Sequence, residues 1–142
     1  MTALDYAQAN KIVKETKYPY KTKQGACKAE STGARIEAIT KVIPRSVDGL
    51  KTAIARGPTP VILASYSTVF NNYEKGVINN ATACGTSCDH AVTAVGFTSS
   101  YYIIKNSWST AWGESGFARI AINGDGDGMC GIQKGAYTPY KL

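Results

Sequence analysis

Two periods of apolar and polar positions run along this chain. In residues 3–13, Ala3, Leu4, Ala7, Ile12 and Val13 fall at roughly helical spacing. Tyr18-Pro19-Tyr20 closes that stretch, because proline forces the residue before it out of the helical region. A second helix is predicted from Ser46, which has the side chain of an N-cap. It carries Val47, Leu50, Ala53 and Ile54 on one face and stops at Gly57-Pro58. Elsewhere the spacing shortens. Residues 35–39 alternate, 61–64 form a short buried run, and 91–97, 101–105 and 117–122 follow between Ser, Gly and Asn turns. Five short strands with helices at the flanks predict an α+β fold built on an antiparallel, barrel-like sheet.

A chain of 142 residues with 44% hydrophobic and 18% charged content is expected to fold as one globular domain. No apolar run approaches the ~20 residues of a membrane span, so no membrane partner is expected. The net charge of +6 is uneven: Lys11, Lys14, Lys17, Lys21, Lys23 and Lys28 face only Glu15 within one stretch. Without aromatic interleaving or a nucleic-acid motif, this patch reads as a solvated basic face, and no nucleic acid is expected. Asn123-Gly124-Asp125-Gly126-Asp127-Gly128 has the oxygen spacing that opens a calcium loop. The twelfth position, where such a loop needs a bidentate Glu, is Lys134. No Lys-Ser/Thr follows to make a phosphate loop. No metal and no cofactor is expected.

His90, the single histidine, opens Asp89-His90-Ala91-Val92 and precedes Asn106 by sixteen residues. A thiol nucleophile needs an imidazole to take its proton, and that imidazole needs a third group to fix its ring and tautomer. Around the pair lie Tyr18-Pro19-Tyr20, Gly57-Pro58, the segment from Cys84 to His90, and Val95-Gly96-Phe97. Tyr102-Ile103-Ile104-Lys105-Asn106-Ser107-Trp108, Trp112-Gly113-Glu114-Ser115-Gly116-Phe117 and Cys130-Gly131-Ile132 complete the series. In this order and spacing the chain resembles the papain-like cysteine protease family, cathepsin L-like, from its first residues to its last.

The resemblance implies a cysteine-type endopeptidase in which His90 is the general base and Asn106 its orienter. Trp108 shields their hydrogen bond, Trp112 packs beside it, and Asp89 is a secondary electrostatic contributor. Ser109 stands where the family usually has Gly. Ile62, Cys88, Ala91 and Gly135 match the main substrate pocket, which should prefer an apolar or aromatic side chain. Cys84 and Cys130 match a family disulfide that closes a loop of about 46 residues and contributes roughly 3–4 kcal/mol. Cys27 matches a cysteine whose partner lies upstream, so it should be a free thiol.

The family's Cys-Gly-Ser-Cys-Trp-like nucleophile motif does not occur in this sequence, nor does the upstream Gln of the oxyanion hole. Met1-Thr2-Ala3-Leu4-Asp5-Tyr6 is similar to the sequence just after the family's substrate-binding Gly-Gly loop. The resemblance therefore covers the C-terminal half of the mature enzyme, with the N-terminal helical half missing. Residues 1–20 would form a helix at the domain seam and residues 21–142 the β-rich domain. Cys88, two residues before His90, is the one thiol that could stand in as nucleophile. Residues i and i+2 of a strand stand ~6.5–7 Å apart, too far for the hydrogen bond such a role requires.

The expected partners are a peptide or protein substrate, the missing N-terminal half, and protein inhibitors of thiol proteases. Lysosomal, vacuolar or extracellular residence is implied, and the Asn80-Ala81-Thr82 glycosylation sequon fits it. The alternative is a truncated or inactive homologue that at most binds peptides or partner chains.

Overall fold

The structure, a computed structural model, describes residues 3–21, 23–27 and 33–140, with Tyr140 described by its backbone alone. In chain order its elements are α1 (Ala3–Ala9), β1 (Ala38–Lys41), α2 (Val47–Arg56), β2 (Thr59–Leu63) and α3 (Thr68–Asn71). Then come β3 (Val77–Ile78), α4 (Ala81–Cys84), β4 (His90–Phe97), β5 (Tyr101–Lys105) and β6 (Phe117–Ala121). A 3-10 turn (Met129–Gly131) and β7 (Tyr137–Tyr140) finish the chain. Two compact units emerge: residues 1–39 with 139–142, and residues 40–138. The division falls after Ile39.

In the first unit α1 buries Ala7 and ends four residues earlier than the apolar spacing predicts. Asn10 caps it by donating from both its backbone N and its Nδ2 to the Tyr6 carbonyl. Ile12 then exchanges two backbone hydrogen bonds with Ala34, at 2.7 and 2.9 Å. A strand-like pairing across the chain wins there over local helical spacing.

The second unit holds the main core. Five strands run in the order β2-β4-β5-β6-β3. All neighbours are antiparallel except β3 and β6, which are parallel through Val77↔Arg119 and Ile78↔Ile120. The predicted all-antiparallel sheet is therefore mixed at one edge. Alternation puts Val61, Leu63, Val92, Ala94, Tyr102, Ile104, Ala118 and Ile120 inside. α2 adds Leu50, Ala53 and Ile54 to this core. Its start follows the sequence reading: the Ser46 Oγ accepts from the Gly49 backbone N at 3.1 Å. The first helical N–H, on Val47, donates to Asp125 Oδ1 at 2.8 Å, so the glycine-rich loop helps to cap α2.

The side chain of Gln133, buried, organises the rest of that loop. Its Nε2 donates to the carbonyls of Gly124 and Gly126, while its Oε1 accepts from the Tyr102 hydroxyl. Asp127 stands against Arg45, with Oδ1 2.7 Å from Nε. That contact is an ion pair without hydrogen-bond alignment, since the same oxygen accepts no hydrogen bond among the described residues. The oxygens that resembled a calcium loop thus face a helix N-terminus, an amide and a guanidinium. β1 and β7 pair separately as a two-stranded sheet.

Candidate active site

His90 is the first residue of β4, opposite Leu63 at the end of β2. Asn106 follows directly on β5. The register Thr93↔Lys105 sets it level with Val92, two residues from His90 along the neighbouring strand. Two adjacent strand ends therefore deliver the pair to one edge of the sheet. His90 Nε2 lies 2.9 Å from Asn106 Oδ1. The same oxygen accepts from the Ser107 backbone N at 2.8 Å. A backbone N–H can only donate, so this atom is the amide oxygen and not its nitrogen. The imidazole must then donate from Nε2, which leaves Nδ1 with the lone pair. Asn106 Nδ2 is buried and has no hydrogen-bond partner among the described residues.

Aromatic rings enclose that hydrogen bond. The ring of Trp108 stacks on His90 with centroids 4.9 Å apart at 28°. Trp112 meets Trp108 edge-on at 5.6 Å, and its indole N–H donates to the carbonyls of Phe70 and Asn71. Phe70, fully buried in α3, touches all three: His90 at 6.3 Å, Trp108 at 5.6 Å and Trp112 at 5.0 Å. The sequence reading missed Phe70. Ser67, which caps α3 through the Phe70 backbone N, was the available signal, but a four-residue helix shows no period.

Asp89 precedes the base, and its carboxylate is held by the backbone of the loop after β2. Its Oδ1 accepts from the Ser65 backbone N at 2.7 Å, which holds its carboxyl below the usual carboxylate range. This bond ties the end of β2 to the start of β4. Ser109 takes φ of +71°, a left-handed conformation that suits the glycine it replaces. Its Oγ accepts from the Ala111 backbone N at 3.3 Å.

Of the predicted pocket residues, three come together. Ile62 and Ala91 are direct cross-strand partners, and the Ile62 backbone N donates to the Gly135 carbonyl at 3.2 Å. All three stand at least partly exposed. The Cys88 Sγ lies 3.6 Å from the Gly131 carbonyl oxygen and 3.7 Å from that of Thr86. Burial pushes its thiol pKa up, the reverse of what activates a nucleophile. Cys84 and Cys130 form a disulfide, while Cys27 and Cys88 are free.

The family profile of papain family cysteine proteases matches residues 1–140. The chain belongs to that family. It is 43% identical to caricain from Carica papaya, over 98% of this chain and 42% of caricain. Papaya proteinase 4, also from Carica papaya, is 38% identical over 99% of this chain and 42% of its own length. Mexicain from Jacaratia mexicana is 38% identical over 98% of this chain and 66% of its own. The chain thus spans well under half the length of the first two relatives.

Among solved structures, a cysteine protease of Carica candamarcensis in complex with E-64 superposes with a TM-score of 0.91 at 34% identity. The match covers 98% of this chain and 66% of that one. Bromelain from Ananas comosus, also with the E64 inhibitor, gives a TM-score of 0.89 at 32% identity, over 99% and 68%. The fold is papain-like. Among the described residues no helix is long and apolar enough to cross a membrane.

Proposed function

We propose that this chain is the base-bearing part of a cysteine endopeptidase, with His90 as general base and Asn106 as its orienter. The observation that supports this most is the doubly anchored Asn106 oxygen, which leaves His90 Nδ1 as the only proton-accepting atom of the ring. A cysteine thiol from a segment outside these 142 residues would give its proton to Nδ1. The thiolate then attacks the peptide carbonyl carbon, and the imidazolium returns the proton to the departing amine. Water, deprotonated by the same Nδ1, hydrolyses the thioester and releases the thiol. Asn106 orients the ring without adding charge, and Trp108 keeps water from the bond between them, which strengthens it.

Ile62, Ala91 and Gly135 would receive an apolar or aromatic substrate side chain, since no carboxylate stands among them. Asp89 acts by holding the strand ends on either side of the base. Peptide or protein substrates and inhibitors of thiol proteases are the partners this site would take. The disulfide fits residence in a lysosomal, vacuolar or extracellular compartment. The lack of the nucleophile motif in these residues favours a second reading for the isolated chain, a peptide- or partner-binding module without turnover.

The test is hydrolysis of a fluorogenic dipeptide by the full-length protein, controlled with an epoxide thiol-protease inhibitor. His90→Ala should lower kcat on the order of 10⁴-fold or more, because members of such a unit act together. The 142-residue chain alone should give no inhibitor-sensitive turnover, and Cys88→Ala in the full-length protein should change nothing. Turnover by the isolated chain that vanishes in Cys88→Ala would overturn the assignment and make Cys88 the nucleophile.

A further inference from the structure

Asn80-Ala81-Thr82 is the only Asn-X-Ser/Thr triplet in the chain, and the fold presents it in an unusual way. Asn80 is the N-cap of α4, and its Oδ1 accepts from the Ala83 backbone N at 3.0 Å. Only the oxygen of the amide is used. Nδ2 has no hydrogen-bond partner among the described residues, and Asn80, Ala81 and Thr82 are all exposed. An N-linked sugar replaces one hydrogen of Nδ2 and leaves Oδ1 free to accept, so the cap and the modification do not compete.

Beside Asn80 lies a groove of about 550 Å³. Val69, Val77 and Ile78 line it together with the polar side chains of Asn72, Glu74, Lys75 and Asn79. A groove that mixes valine side chains with amides, a carboxylate and an ammonium suits the acetamido sugar that is first on an asparagine-linked chain: C–H faces against valine, hydroxyls and N-acetyl group toward the polar side chains. The helix that Asn80 caps ends at Cys84, whose disulfide with Cys130 marks an oxidising folding compartment. In eukaryotes that compartment holds the lipid-linked oligosaccharide donor.

We propose that Asn80 carries an N-linked glycan whose first sugar rests in the groove between α3 and β3. In the transfer, Nδ2 forms a bond to the anomeric carbon of a lipid-diphosphate oligosaccharide. The bond from that carbon to the phosphate oxygen breaks, the lipid diphosphate leaves, and the amide proton passes to a base of the transferase. The inference is independent of peptidase activity, so it stands or falls apart from the catalytic assignment.

The full-length protein, made in a eukaryotic secretory host, is treated with peptide N-glycosidase in heavy-oxygen water and mapped by mass spectrometry. The tryptic peptide containing position 80 should appear as heavy-oxygen aspartate. Thr82→Ala, which leaves the Asn80 cap in place, should lose the label and migrate faster by one oligosaccharide, whereas Thr82→Ser should keep it. Non-reducing mapping of the Cys84–Cys130 bridge confirms passage through the oxidising compartment. If the protein is retained in the cell, that pool is mapped the same way, because transfer precedes folding. Unlabelled Asn80 in bridged protein would overturn the site. For the groove, the native protein should release its glycan several-fold more slowly than the denatured protein. Equal rates would overturn the seating of the first sugar.

Discussion

A Cβ built on Gly135 would stand 2.9 Å from Ile62 Cδ1, so these two residues set the depth of the proposed pocket between them. The obstacle is the far end of a flexible side chain, which can turn aside, and no backbone atom lies as close. Gly135→Glu should therefore be tolerated, more readily with Ile62→Val to make room. It places a carboxylate where Ile62 and Ala91 offer only hydrocarbon. A carboxylate held there is costly without a partner, and a substrate Arg supplies one. In the full-length enzyme the pair of substitutions should raise kcat/KM for Arg over Leu at the pocket position by about tenfold or more. Peptide-library profiling measures the ratio. An unmodified enzyme that already prefers Arg would show that Gly135 and Ile62 do not line the pocket. At this scale His90 and Asn106 were legible because polar residues within a known motif keep their order and spacing. Phe70 was not, because a buried aromatic carries no sign in the sequence of which rings it will touch.

The end of the loop between β5 and β6 is fastened to β6 by one ion pair. Arg119 on β6 donates to both carboxylate oxygens of Glu114, from Nε at 2.9 Å and from Nη2. Glu114 also accepts from the Gly76 backbone N, just before β3, so it links two loops to the parallel edge of the sheet. The Arg119 hydrogen bond lowers the Glu114 pKa, with help from Gly76 against the opposing effect of burial. A folded-state pKa below the unfolded one gives stability that is present above the unfolded pKa. That stability is lost as pH falls through the folded one. Wild type should thus be more stable than Glu114→Gln near neutrality, and the gap should close as pH falls below the usual carboxylate range. Urea midpoints across that range would test it; a gap that persists in acid would mean that the glutamate acts by shape and not by charge. Elements with length and a cap, such as α2, were legible. β3, α3 and α4 were not, since two to four residues are shorter than any period they could display.

Across the whole molecule, the disulfide adds a covalent tie to the sheet and core that already join the site to the rest of the second unit. It joins the end of α4 to the 3-10 turn, and both of its cysteines are fully buried. The Cys130 carbonyl accepts from the Ala64 backbone N at 2.8 Å. Ala64 adjoins Ser65, whose N–H holds Asp89, and Asp89 adjoins the base. A continuous path of one covalent bridge and two hydrogen bonds therefore runs from α4 to His90. The pairing itself followed from the family resemblance. The parallel β3–β6 edge was not legible, because pairing direction depends on the path between strands and not on their side chains. With a sequence separation of 46, the bridge should restrict the unfolded chain by about 4 kcal/mol. Replacing both cysteines by alanine should lower the unfolding free energy by roughly that amount, plus a smaller contribution from the space left in the core. Loss of peptidase activity should come at a lower denaturant concentration than loss of the β-sheet signal, because the strand ends that carry Asp89 and His90 lose their tether first. Denaturant titrations followed by circular dichroism and by turnover of the full-length enzyme would separate the two transitions. Coincident midpoints in the alanine variant would mean that the bridge stabilises the unit as a whole and does nothing in particular for the base.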